Sequence, residues 1–106
     1  MPLTKSFNDT IKAELQKSAG FRRALLKEAV SCMIAGDVET GKSVLRKYIN
    51  GTVGFIKLGE DLGRSPKVLM RMFSPSGNPQ AKNLFEIVAH LQKIEGRILM
   101  VVDRAA

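Results

Sequence analysis

Between Phe55 and Phe73 the chain carries two short apolar stripes separated by a break that leaves the backbone little choice: FIKLGEDLGRSPKVLMRMF. Phe55, Leu58, Gly59 and Leu62 stand at i, i+3, i+4 and i+7, so a helix over 54–62 turns them to one side. Gly63 follows at once and accepts the positive φ that ends a helix sharply. Ser65 then supplies the cap of a new helix, and Pro66 takes its first turn, where a missing N–H costs nothing. Leu69, Met72 and Phe73 face inward again. Two such helices, joined so briefly, must cross steeply. A steep, close crossing needs a small residue on the first helix, and Gly59 supplies it.

The rest of the chain is punctuated in the same way. In residues 6–18, Phe7, Ile11 and Leu15 recur every four positions and predict a short first helix. Residues 20–35 form a stronger helix with a broad apolar face. Gly36 suits its end and Asp37 the cap of the next, which runs over 38–50 with Val38, Gly41, Leu45, Tyr48 and Ile49 on one face. SPSGNP (74–79) reads as a loop. A last helix over 81–94 turns Leu84, Ile87, Val88, Leu91 and Ile94 inward and is closed by Gly96. RILMVV (97–102) is a β-like run able to pair across a dimer. The fold class is mainly α: a five- to six-helix domain over 20–96 with its two-helix core at 54–73. It is preceded by an extension or short helix (1–19) and followed by a short strand and tail (97–106). With 44% apolar residues, 6% aromatic and no Trp, the core is built from aliphatic side chains, which suits helix packing.

The net charge of +7 on a small domain points to a polyanionic partner. A membrane surface is the other candidate, but no stretch approaches ~18 consecutive apolar residues. The opening MPLTKSFND has no apolar signal core, so a soluble cytoplasmic protein is expected. One cysteine, Cys32, excludes an internal disulfide and fits a reducing compartment.

Charge and pattern converge on a helix-turn-helix reader of double-stranded DNA. Leu58, Leu62, Leu69 and Met72 lock the two helices from inside, with Gly59 and Gly63 setting crossing and turn. Ser65, Lys67, Val68, Met70 and Arg71 remain outside on the second helix. Arg71 can bond a guanine edge in bidentate fashion and Lys67 can reach a base or a phosphate. Ser65 and the N–H groups around it can take a phosphate. Arg64, in the turn, joins this set, and Asn78, Gln80 and Lys82 form a second phosphate site where the loop meets the last helix. The competing reading is a helical hairpin whose charges are merely solvated.

Residues 36–43, GDVETGKS, match the phosphate-binding loop pattern G-x-x-x-x-G-K-[ST] in full, and ILMVVD (98–103) imitates the strand that would end in a metal-holding Asp. That motif needs a buried strand before it and a parallel sheet around it. AVSCMIA, before Gly36, instead continues a helix, and Asp37 and Glu39 put carboxylates where phosphates would sit. The plainer reading has Gly36 ending one helix, Asp37 capping the next and Lys42 solvated. Cys32 and His90 occur once each, so no metal cluster is visible. Cys32 is expected to be buried and His90 solvated or satisfied. Arg22, Arg23 and Lys27 form a basic face, solvated by default. No catalytic residue, metal or cofactor is expected.

The string from Leu58 to Ile87, with its L-G-x-x-L-G-x-S core, L-x-R, and S-x-x-G-N-P followed by L-x-x-I, resembles the antidote proteins of bacterial addiction modules. These are the Hig-type antitoxins, with helix-turn-helix domains of the phage-repressor (lambda-repressor-like) kind. The likeness covers about residues 20–95, and the Ser74–Pro79 loop is its most specific part. It implies a dimeric repressor of its own promoter, with a RelE-like toxin as a further partner. By motif position, Ser65, Lys67 and Arg71 take the base- and phosphate-contacting roles. Three positions depart from the family pattern: Gly59 stands where Ala is usual, Pro66 where a polar residue is common, and Met70 where Tyr is common.

The function expected is therefore sequence-specific transcription regulation by the antitoxin of a toxin–antitoxin module, as a homodimer with the 65–73 helix in the major groove. The alternative is an interaction module that binds a toxin or other partner without specific DNA binding. A phosphate-loop nucleotide hydrolase is the remote third.

Overall fold

A computed structural model describes residues 6–106, so the first five residues of the 1–19 segment lie outside it. The described residues form six helices: α1 (Phe7–Lys17), α2 (Ala19–Ile34), α3 (Val38–Gly51), α4 (Phe55–Leu62), α5 (Pro66–Met72) and α6 (Ala81–Glu95).

Polar caps set most of these boundaries. Ser6 Oγ accepts from Asp9 N at 3.1 Å, Ser18 Oγ from Phe21 N at 3.0 Å and Asp37 Oδ1 from Thr40 N at 3.2 Å. Each satisfies an amide that the first helical turn leaves without a backbone partner. Ser18 is the whole connection between α1 and α2: its own N–H bonds Glu14 O while its side chain starts the next helix. Gly36 breaks the chain between α2 and α3 with φ +93°.

The six helices share one apolar core, to which each contributes a buried leucine: Leu15, Leu26, Leu45, Leu58, Leu69 and Leu84. α1, expected to be an extension or short helix, thus belongs to the domain. Burying one such side chain contributes about 1.5–3 kcal/mol. Tyr48 carries the α3 side of the core to α6: its buried hydroxyl donates to Glu95 Oε1 at 2.6 Å, and Arg22 Nε on α2 donates to Glu95 Oε2 at 3.2 Å. Arg22 also bonds Leu15 O at 2.9 Å, so the residue read as part of a solvated basic face ties α1, α2 and α6 together. Burial and the Glu95 carboxylate hold the Tyr48 phenol protonated, well above its ordinary range.

Three side chains expected to face inward do not. Phe7, Val38 and Ile94 are exposed, at 74%, 43% and 49%. Each lies in the first or last turn of its helix, where the neighbouring helix no longer covers the stripe. The short C-terminal strand expected over 97–102 is also absent, and no strand occurs among the described residues. Its residues have no second strand within the chain to pair with. The helical class holds, and no β-like element forms within the single chain among the described residues.

Candidate nucleic-acid interface

α4 and α5 form a helix–turn–helix unit, and its turn is built as the sequence predicts. Gly63 ends α4 at φ +66°, a left-handed position that a Cβ would strain. Its successor's N–H returns to Gly59 O at 2.9 Å. A methyl group added at Gly59 would sit 2.5 Å from Arg64 O, so the turn passes over α4 at a distance only glycine allows. Pro66 occupies the first turn of α5, and Ser65 Oγ accepts from Val68 N at 3.4 Å, a long cap bond. Leu58 and Leu69 are fully buried, whereas Leu62 and Met72 are only partly covered. Phe55 and Phe73 close the unit with ring centroids 5.8 Å apart.

The outer side of α5 carries Lys67, Val68, Met70 and Arg71, all exposed. Lys67 and Arg71 have no carboxylate partner among the described residues, in contrast to Lys57, which pairs with Asp61 at 2.9 Å. Val68 and Met70, at 42% and 49% exposure, interleave apolar surface with the two cations. Such a row can give bidentate hydrogen bonds to a guanine, a reach to phosphate, and apolar contact with a thymine methyl. Ser65, exposed at the helix start, has its hydroxyl engaged by its own cap.

Arg64 is placed differently from the rest of its predicted set. Its Nη2 donates to Glu86 Oε1 at 2.7 Å and to Asn83 Oδ1 at 3.0 Å, both on α6. It fastens the turn to the first two turns of α6 rather than standing free for a phosphate. That attachment brings the start of α6 beside the turn. Asn78, Gln80 and Lys82 are all exposed there, and Gln80 makes no side-chain cap bond. The amides of the first turn of α6 therefore keep no side-chain acceptor, a suitable setting for an anion next to Lys82.

The side chain that holds this region in place is one the sequence reading left in solvent. Lys42 is 2% exposed. Its ammonium donates to Gly77 O at 2.6 Å and Ser74 O at 3.2 Å, and lies 3.2 Å from the exposed Glu39 carboxylate. Lys42 thus clamps the 74–79 loop to α3. Gly77 lies so near the end of α5 that any Cβ would collide with the Arg71 and Met72 carbonyls. The signal was present: position 42 falls on the inward stripe of α3 with Leu45 and Ile49. The phosphate-loop pattern at 36–43 is accounted for by these roles. It follows a helix instead of a strand, Asp37 caps α3 and Lys42 is committed to two carbonyls.

His90 Nε2 lies 3.0 Å from Asp61 Oδ2, so it is satisfied, as expected. The hydrogen bonds from His90 and Lys57 hold the Asp61 carboxyl below its usual range. Cys32, expected to be buried, is half-exposed, because α2 leaves that side to solvent; desolvation and the nearby Glu28 and Asp37 push its thiol up, away from the thiolate. No group of three potential metal ligands occurs among the described residues, nor is any of their helices long and apolar enough to cross a membrane. No protein-family model, curated protein or solved structure matches the chain.

Proposed function

We propose that this protein is a sequence-specific regulator of transcription with a lambda-repressor-like domain, a binding protein and not an enzyme. α5 enters the major groove of double-stranded DNA, and two copies occupy half-sites about one helical turn, 34–36 Å, apart. The carrying observation is the α4–α5 unit. Its crossing is set by Gly59 against the Arg64 carbonyl, and its outer face presents Lys67 and Arg71 unpaired with Val68 and Met70 between them. The net charge of +7 supports a polyanionic partner. In this reading Lys67, Val68, Met70 and Arg71 read bases or reach phosphates, while Asn78, Gln80 and Lys82 grip the backbone beside them. Arg64 positions the two groups relative to one another.

The resemblance of residues 20–95 to Hig-type antitoxins extends the proposal. The protein represses its own promoter in the cytoplasm as the antidote of a toxin–antitoxin pair, with a RelE-like toxin as its protein partner. Fluorescence anisotropy with duplex from the gene's own upstream region, against a scrambled duplex and at two salt concentrations, tests it. A preference for the native duplex that disappears in Lys67→Ala/Arg71→Ala is the expected result. Equal weak binding to both duplexes, unchanged in the variant, would refute specific recognition and leave the protein-interaction reading in its place.

A further inference from the structure

A cavity of about 690 Å³ lies between α2, α6 and the residues that follow Gly96. Neither α4 nor α5 contributes to its lining, so it is separate from the face that carries Lys67 and Arg71. Along α2 the lining is sorted by chemistry. Arg23 and Lys27 come first, one turn apart, and Val30 and Ile34 follow at the same helical spacing. Phe85 and Val88 supply the α6 side, and residues 97–102 complete the wall. Leu99 fastens that last segment: its N–H donates to Gln92 Oε1 at 2.8 Å and its side chain packs against the core.

The apolar part of the cavity is open to solvent. Ile34 is 60% and Phe85 53% exposed, and Ile98 beside them 86%. Contiguous apolar surface rimmed by charge marks a place where another molecule binds. The charged part lacks its counter-charge. Arg23, Lys27 and Arg97 all line the cavity and form no ion pair among the described residues. Arg23 Nε is buried there with no hydrogen-bond partner, whereas buried donors are nearly always paired. Glu95 is the one carboxylate in the lining, and it is committed to Tyr48 at 2.6 Å and Arg22 at 3.2 Å.

We propose that this cavity binds a free amphiphilic carboxylate, with its head group at Arg23 and Lys27 and its alkyl or aryl body along Val30, Ile34 and Phe85. Three cations without an acid demand an anion, and the planar guanidinium fork matches a carboxylate. The apolar trough demands that the same molecule carry an apolar body. From Arg23 to Ile34 the helix rises about 16 Å, at about 1.5 Å per residue, room for a medium-length alkyl chain laid along it. The volume falls within the range of about 300–1,000 Å³ usual for small-molecule sites, which are mostly apolar with a few polar groups that orient the ligand. A second copy of the chain is the poorer occupant, because a two-fold contact here would set the same cations against one another. The site is independent of the DNA reading, and its test contains no DNA.

Isothermal titration of the full chain with decanoate, decyltrimethylammonium and butyrate decides it. One decanoate per chain is expected to bind, at least about tenfold tighter than the cationic amphiphile or the short acid. Arg23→Gln is expected to weaken decanoate about tenfold and to leave decyltrimethylammonium unchanged. Lys27→Gln, at an exposed position, carries the same test if Arg23→Gln disturbs the fold, with a loss of about threefold. Ala24→Trp fills the cavity from an exposed position and is expected to abolish decanoate binding with unchanged helical circular dichroism. No binding of decanoate, equal binding of both amphiphiles, or decanoate binding untouched by all three variants would each overturn the proposal. Retention on anionic phospholipid vesicles without binding of dispersed decanoate would overturn it in favour of a membrane surface. A wild-type dimer that Ala24→Trp dissociates, again without decanoate binding, would give the groove to a second copy instead.

Discussion

Replacing Lys42 with Met should loosen the molecule at the loop that accompanies α5. The ammonium, 2% exposed, holds the Ser74 and Gly77 carbonyls at 3.2 and 2.6 Å. Hydrogen bonds from a charged donor are worth about 1.5–3 kcal/mol each, so their gross loss is about 3–6 kcal/mol. Removing a buried charge also returns its desolvation cost, which in real proteins is several kcal/mol before any pairing. Water recovers part of the remainder, because Ser74 and Gly77 are only half-buried. A net destabilisation of about 2–3 kcal/mol follows. In a domain of this size that lowers Tm by roughly 10–15 °C. Urea unfolding followed by circular dichroism should show the midpoint fall with the m-value unchanged. Glu39→Gln is the control: its carboxylate is 69% exposed, and a pair open to solvent contributes about 1 kcal/mol or less. The two variants together should separate the buried clamp from the surface ion pair. If Lys42→Met unfolds within about 0.5 kcal/mol of the wild type, the clamp is not what holds the loop and the reasoning fails.

Arg71→Ala should cost about 1–3 kcal/mol of affinity for the native duplex and relax preference at one base pair. A uniform loss over all sequences, seen by anisotropy, would make Arg71 a phosphate contact instead. Gly59→Ala adds a methyl group 2.5 Å from Arg64 O; about 1–3 kcal/mol of overpacking set against about 1 kcal/mol gained in helix propensity should leave a loss of up to about 2 kcal/mol in thermal unfolding. Tyr48→Phe deprives the buried Glu95 carboxylate of its 2.6 Å donor and should destabilise by about 1.5–3 kcal/mol, measured in urea. Asp61 is held below its usual range by His90 and Lys57, so its contribution is full above the unfolded carboxyl pKa of about 3.9 and is lost as pH falls through the lower folded value. Asp61→Asn should thus be less stable than wild type at pH 6, with the gap closing as both are titrated below pH 4; a gap independent of pH would show that the carboxylate charge contributes nothing.

Local chemistry is where the sequence speaks clearly. The positions of the helices follow from apolar spacing, from glycines that stop a helix and from side-chain caps, all of which act within a few residues. Gly36, Asp37, Gly63, Ser65, Pro66 and Gly96 are legible for that reason, and so is the turn that exposes Lys67 and Arg71. At helix ends a periodic stripe runs past the neighbour that would cover it, so Phe7, Val38 and Ile94 fit the inward spacing yet stand exposed.

Long-range partnership is not written in spacing. Arg64, Arg22 and Lys42 are three cations on a basic chain, and local sequence treats them alike. The fold brings Glu86 and Asn83 to Arg64, Glu95 to Arg22, and two loop carbonyls to Lys42, from residues 19–73 positions away. A buried charge is tolerated only where such partners converge. The sequence alone therefore determined which segments are helical and which residues face out on α5. Only tertiary structure decided which positive charges hold the protein together and which stay free to meet another molecule, because pairing depends on distances that exist only once the chain has folded.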